Sequence, residues 1–240
     1  MSTPEQAYYL KTMGIDVWVP RARAITESVS ITDTQIETPQ ADISTPAPAQ
    51  QTPNIDWPAL EQQVQACTQC ALHETRTNVV FGVGNKQADI MFIGEAPGAD
   101  EDQQGEPFVG KAGQLLNAML QSVGLKREQV YIANILKCRP PNNRDPKPEE
   151  AASCTPYLIQ QIQLLQPKLI VALGRIAAQR LLQTDASLSK LRGQLHKLPQ
   201  TSTPMLVTYH PAYLLRSPQE KRKAWQDLLF MQASVRGQHS

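Results

Sequence analysis

No stretch of 18 apolar residues occurs anywhere in the 240-residue chain, so no segment is suited to cross a bilayer as a helix. The opening MSTPEQAYYLKTMG lacks a basic region followed by an apolar run, so it does not read as a secretory leader, and a cytoplasmic protein is expected. Cysteine is confined to four positions, which in a reducing compartment are thiols, structural or metal-bound, rather than a disulfide framework. Net charge is nearly absent at +1, which by itself argues against a polyanionic partner. Its distribution matters more. Residues 1–56 carry three basic and seven acidic side chains, the remainder 20 basic and 15 acidic, so a mildly basic body follows an acidic lead.

Between residues 26 and 56 there is no Lys, Arg or aromatic residue, only a chain rich in Pro, Thr, Ser, Gln and Ala. Such a stretch cannot bury enough apolar surface to offset the entropy of ordering, so it reads as a flexible linker spanning about 30 Å. Ahead of it, residues 1–25 hold a short aromatic and apolar peptide, with Tyr8, Tyr9, Leu10, Met13, Ile15 and Trp18. It either packs on its own domain or docks another protein from its tether. From Trp57 to residue 240 the pattern is globular, and 41% hydrophobic content suffices for one α/β domain with an appendage.

Four apolar runs predict strands, at 88–94, 130–138, 168–174 and 204–211, alternating with helices over 112–123, 148–166, 175–183 and 218–233. Alternation of this kind predicts an α/β fold, a three-layer α/β/α sandwich around a central, mostly parallel four-stranded sheet. Ligands of such folds bind beyond the carboxyl ends of the strands, which is where every polar motif of this chain falls.

The cysteines are spaced Cys67-x2-Cys70 and Cys138-x15-Cys154. A pair two residues apart can grip one metal centre, and the fold can bring the second pair to it; zinc and an iron–sulfur cluster both accept four thiolates. His73 is a spare ligand for zinc, and four unrelated buried thiols are the plainer reading. Past the first strand, GEAPG at 94–98 offers Gly94, whose lack of a side chain permits close approach, and the carboxylate of Glu95, able to orient or deprotonate water. Neither a dinucleotide fingerprint nor a Walker loop is formed there. Phe108 is either core or a platform for a flat base. Asn134, inside an apolar strand, either satisfies a turn or reads the polar edge of a pyrimidine with its C=O and NH₂. His210, in HPAYLLR, is on its own more often structural than catalytic.

Taken together, GEAPG at 94–98, EPFVGKAGQLL at 106–116, NILKCRPPNNRDP at 134–146, HPAYLLR at 210–216 and the four cysteines resemble the family 4 uracil-DNA glycosylases, the iron–sulfur branch of their superfamily. The resemblance covers about residues 57–235. It implies a uracil-DNA glycosylase-like fold and a monomeric, nucleoid-associated repair enzyme that extrudes uracil from DNA and hydrolyses its N-glycosidic bond. It further implies a [4Fe–4S] cluster on Cys67, Cys70, Cys138 and Cys154. In the uracil pocket it implies Gly94, Glu95 and Ala96 as lining, Phe108 stacked on the base, Asn134 at its polar edge and His210 at O2. Ala96 stands where the better-known branch has an Asp that positions water, which leaves Glu95 as the nearest candidate. Gly98 stands where that branch excludes thymine with a tyrosine, and the run Asp100–Asp102 is a candidate substitute barrier. Arg139, Arg144 and Lys147 are expected at phosphates, and Leu214, Leu215 and Arg216 in the gap left by the flipped nucleotide, unless the latter simply form a packed helix turn. The leader peptide is similar to the N-terminal peptide of the bacterial clamp-loader psi subunit, which implies a replisome or clamp-loader partner. The contrasting reading is a non-catalytic, cluster-bearing DNA-binding or polymerase-associated protein of the same fold.

Overall fold

The computed structural model describes residues 56–236; the leader peptide and all of the linker but Asp56 lie outside the described residues. Every described residue falls in the second of the two units into which the chain divides, Gln51–Ser240. No described helix is long and apolar enough to cross a membrane.

Four parallel strands form the centre: β2 (Ile90–Gly94), β3 (Tyr131–Asn134), β4 (Leu169–Leu173) and β6 (Pro204–Thr208). Each occupies the apolar run expected for it. Two short edge strands, β1 (Val83–Gly84) and β5 (Leu195–Lys197), run antiparallel to β3 and β6, giving six strands in the order β1-β3-β2-β4-β6-β5. The sequence hides these two because they are two and three residues long and half exposed, so they carry no apolar run.

Alternation along the central strands feeds two separate cores. Met91, Ile93, Tyr131, Ala133, Ile170, Ala172, Met205 and Val207 pack into one, with α1 (Trp57–Gln65), α4 (Pro148–Leu165) and α5 (Arg175–Leu182). Ile90, Phe92, Ile132, Leu169, Val171 and Leu206 pack into the other, with α3 (Lys111–Ser122) and α8 (Lys221–Arg236). Three short helices complete the unit: α2 (Ala99–Gln104), α6 (Leu188–Leu191) and α7 (Pro211–Arg216).

Strand β3 stops at Asn134 although the apolar run continues to Cys138. Asn134 pairs in register with Gly94, so both strands end level. Beyond that point the Ile135 and Leu136 amides donate to the Gly94 and Glu95 carbonyls at 3.0 and 3.1 Å. The run therefore follows the loop after β2 instead of the sheet, and this carries Lys137 and Cys138 beneath the strand ends.

Candidate functional site: a nucleobase cleft beside a pocket of four thiols

An open cleft lies over the carboxyl ends of the parallel strands. Glu95, Ala96, Phe108, Asn134, Arg144, His210, Tyr213 and Arg216 line it. Five of the six residues expected around uracil thus share one cavity, and Gly94 underlies it. A Cβ on Gly94 would stand 2.7 Å from the Phe108 ring and would also strike the side-chain oxygen Oδ1 of Asn134. Glycine at that position is what lets the ring and the amide meet.

Phe108 holds φ at 55°, the left-handed region that a bulky residue avoids. The strain is offset by its surroundings. Arg127 donates to the carbonyls of Pro107 and Phe108. The nearly buried Glu101 carboxylate accepts from the amides of Gly98, Val109 and Gly110 at 3.0–3.1 Å. Gly113 has no Cβ to collide with the Phe108 carbonyl. The ring is thereby aimed at His210, with centroids 5.6 Å apart.

Asn134 is 2% exposed, and its Oδ1 has no hydrogen-bond partner. A buried orphan acceptor costs about 1–3 kcal/mol, so at the end of a strand it marks a place kept for a donor from outside the chain. Below it, the fully buried Lys137 Nζ donates to the Asn134 carbonyl at 2.8 Å and to Gln161 Oε1 at 2.6 Å. Gln161 in turn donates to the Phe81 carbonyl at 3.0 Å, which closes the chain of bonds.

His210 caps α7. Its Nδ1 accepts from the Ala212 amide at 3.1 Å, so the neutral ring carries its proton on Nε2. Burial, helped by the Arg216 charge, pulls its pKa down to about 4. The side chain is therefore a neutral N–H donor throughout the physiological range. The Glu95 carboxyl is pushed the other way, to about 7, by burial and then by Asp145, against the opposing pull of Arg175 and Arg180.

The residues expected on DNA separate into two groups. Leu215 is 44% exposed and Arg216 lines the cleft, but Leu214 is 1% exposed within the second core. Leu214 is corrected from duplex wedge to core residue, because entering a duplex would require it to leave that core. Arg144 borders the cleft with its guanidinium paired in bidentate fashion to the buried Glu150, whose carboxylate also accepts from the Lys147 amide. That pairing fixes the loop at the start of α4. Arg139 donates to Asn143 Oδ1 at 2.7 Å, and the Lys147 side chain is exposed. Asp102 accepts from the Thr77 amide at 2.9 Å, which ties it to the loop before β1.

Cys67, Cys70, Cys138 and Cys154 line a single, far smaller pocket, with His73, Arg76 and Lys137 on its walls. Arg76 donates to Cys138 Sγ at 3.2 Å and the Lys137 amide to Cys154 Sγ at 3.3 Å. Among the described residues no three His, Cys, Asp or Glu side chains converge as they would around one ion. Four thiols thus face a common space, with the Arg76 guanidinium and the Lys137 amide directed at sulfur, a donor set that zinc and an iron–sulfur cluster both accept. Apolar burial pushes the Cys154 thiol up to about 11 and raises Cys138 as well, so both are unreactive unless a metal displaces their protons.

Sequence reading missed Arg127, Lys137, Gln161 and Tyr213, and named Glu101 only within the acidic run considered as a barrier to thymine. Only Lys137 left a signal: a charged residue between Leu136 and Cys138 in an otherwise apolar run.

A cleft built to receive a flat ring, with an acceptor, a donor and an aromatic wall at strand ends, defines a nucleobase-binding α/β protein. Residues 81–229 match the model of the uracil DNA glycosylase superfamily, and the chain belongs to that family. It is 49% identical over 164 residues to a type-4 uracil-DNA glycosylase of Archaeoglobus fulgidus, covering 66% of this chain and 82% of that one. The type-4 enzyme of Thermotoga maritima is 47% identical over 160 residues, at 66% and 82% coverage. That of Pyrobaculum aerophilum is 42% identical over 180 residues, at 72% and 92%.

Proposed function

We propose that the chain removes uracil from DNA by hydrolysing the N-glycosidic bond, leaving an abasic site. The observation that carries this reading is the orphaned Asn134 Oδ1, in a cleft it shares with Phe108 and the N–H donor of His210. Uracil N3–H supplies the missing donor, and the Asn134 amide nitrogen donates to O4. Cytosine presents the opposite pattern at both atoms and would leave buried groups unpaired, which is the strong form of rejection. Uracil within a duplex is out of reach, so the nucleotide must first be flipped.

As the bond from N1 to C1′ breaks, its electron pair passes to the base and charge collects on O2. His210 Nε2–H donates to that oxygen, and because the ring is neutral and already oriented it needs no reorganisation at that moment. Glu95, when ionised, faces the developing positive charge on the sugar and takes the proton of the water that adds to C1′; that proton then neutralises the uracil anion. Phe108 stacks on the extruded base. The orphaned acceptor, the oriented donor and the family relationship support this assignment.

The four cysteines are proposed to hold a [4Fe–4S] cluster, supported by their shared pocket and by the hydrogen bonds directed at Cys138 and Cys154. When bound, such a cluster supplies a cross-link among the segments carrying Cys67 and Cys70, Cys138, and Cys154. Arg216, Leu215, Arg139 and Lys147 are proposed to meet the DNA strand. The leader peptide at 1–25 is proposed as a separate docking element for replication machinery; a pull-down in which it retains no replisome component removes that assignment.

The decisive experiment is alkali cleavage of a labelled oligonucleotide after incubation with the purified chain. Incision at uracil and not at cytosine is expected. DNA binding with an intact cluster and no uracil release would establish the non-catalytic reading instead.

A further inference from the structure

Helix α7 places His210, Tyr213 and Arg216 three residues apart, on one face, and all three line the cleft. His210 and Arg216 have roles in the uracil reading; Tyr213 has none. Yet Tyr213 is 39% exposed at the mouth of the cleft, an unusual place to leave an aromatic ring without a task.

Its backing is fixed. The ring stacks on Tyr209 at 5.5 Å between centroids and 10° between planes. Tyr209 is 9% exposed and donates its hydroxyl to Glu220 at 2.7 Å. The Arg192 guanidinium lies over the Tyr209 ring, 4.4 Å from its centre. Arg192 is itself clamped by Asp227 at 2.7 and 2.9 Å, and Asp227 also accepts from Thr208 at the end of β6. The stack is thereby anchored to the sheet and to α8, and an ordered ring meets a ligand at little entropic cost.

We propose that Tyr213 forms a second nucleobase subsite, stacking on the base adjacent in the strand to the one removed. Every base offers a π-face, so the subsite tolerates any neighbour, and Arg216 one turn further on supplies a cation for the linking phosphate. Leu215 beside it can fill a gap but offers no such face. The proposal rests on the uracil reading, and its test separates the two.

The full chain is bound to a strand carrying a cleavage-resistant 2′-fluoro-deoxyuridine with fluorescent 2-aminopurine on its 5′ or its 3′ side. At one of the two positions, binding is expected to quench the probe in the wild type and in Tyr213→Phe, and not in Tyr213→Leu. In parallel, replacing that neighbour by an abasic residue in a cleavable strand is expected to lower wild-type kcat/KM about 10-fold. The same replacement should leave Tyr213→Leu unchanged. Absence of quenching at both positions in the wild type, or equal losses in wild type and Tyr213→Leu, overturns the subsite. If Tyr213→Leu fails to fold, Tyr213→Ser takes its place in both measurements, and absence of quenching in the wild type still overturns the subsite. Quenching without uracil release from any strand would leave the subsite standing and remove the catalytic reading.

Discussion

The cleft and the thiol pocket share one stretch of chain, with Asn134 in the first and Cys138 in the second, yet they are opposites in how they treat polar groups. The cleft leaves a buried acceptor on Asn134 without a partner and strains Phe108 into the left-handed region. In the thiol pocket, Arg76 is engaged with Cys138, and Lys137 with Cys154, Asn134 and Gln161. A region that waits for substrate keeps valences open, whereas one proposed to hold a permanent group satisfies its surroundings in advance. The contrast teaches which features of the fold turn over and which are fixed. Lys137 is the point where the two regions touch.

Breaking the open side of the comparison carries the largest expected effect. His210→Ala removes the donor proposed for uracil O2 and is expected to lower kcat about 10²–10³-fold while DNA affinity changes little. Single-turnover cleavage and binding to the 2′-fluoro strand measure the two quantities separately. Equal losses in both would reduce His210 to the cap of α7.

The junction comes next. Lys137→Met keeps the length of the side chain but deprives the Asn134 carbonyl and Gln161 Oε1 of their donor. Each buried acceptor left unpaired costs about 1–3 kcal/mol, so the thermal midpoint is expected to fall. Discrimination between uracil and cytosine is expected to weaken about 10-fold, because Asn134 loses its anchor, while iron and sulfide content stay at wild-type levels. Loss of iron with discrimination intact would place Lys137 in the service of the thiol pocket alone.

How far these features were legible varies with their cause. The four central strands announce themselves because burial on both faces demands continuous apolar runs such as Leu169–Leu173. The edge strands do not, since Leu195–Lys197 is held by pairing with β6 and not by its own composition. Asn134 and His210 were legible as polar residues interrupting or ending apolar runs. The supports were not. Glu101 reads in the sequence as one member of an acidic run placed to exclude thymine, and only the fold reveals that its carboxylate collects three loop amides. Leu214 and Leu215 are indistinguishable by type, and their division between core and surface follows from the orientation of α7.

The smallest expected effect concerns the titration of the cleft. Glu95 is raised to about 7 by burial and Asp145, and the water-activating role proposed for it needs the ionised form, so the cleavage rate should climb as pH rises through 7. His210, held near 4, contributes no second limb between pH 5 and 9. Asp145→Asn removes the neighbouring negative charge and is expected to move the limb to lower pH, with little change in the plateau rate. Glu95→Gln should abolish the limb and leave a slower, flat profile. Single-turnover rates from pH 5 to 9 on one uracil strand make the comparison. A limb that survives unchanged in Glu95→Gln would transfer the titration, and with it the water-activating role, to another group of the cleft.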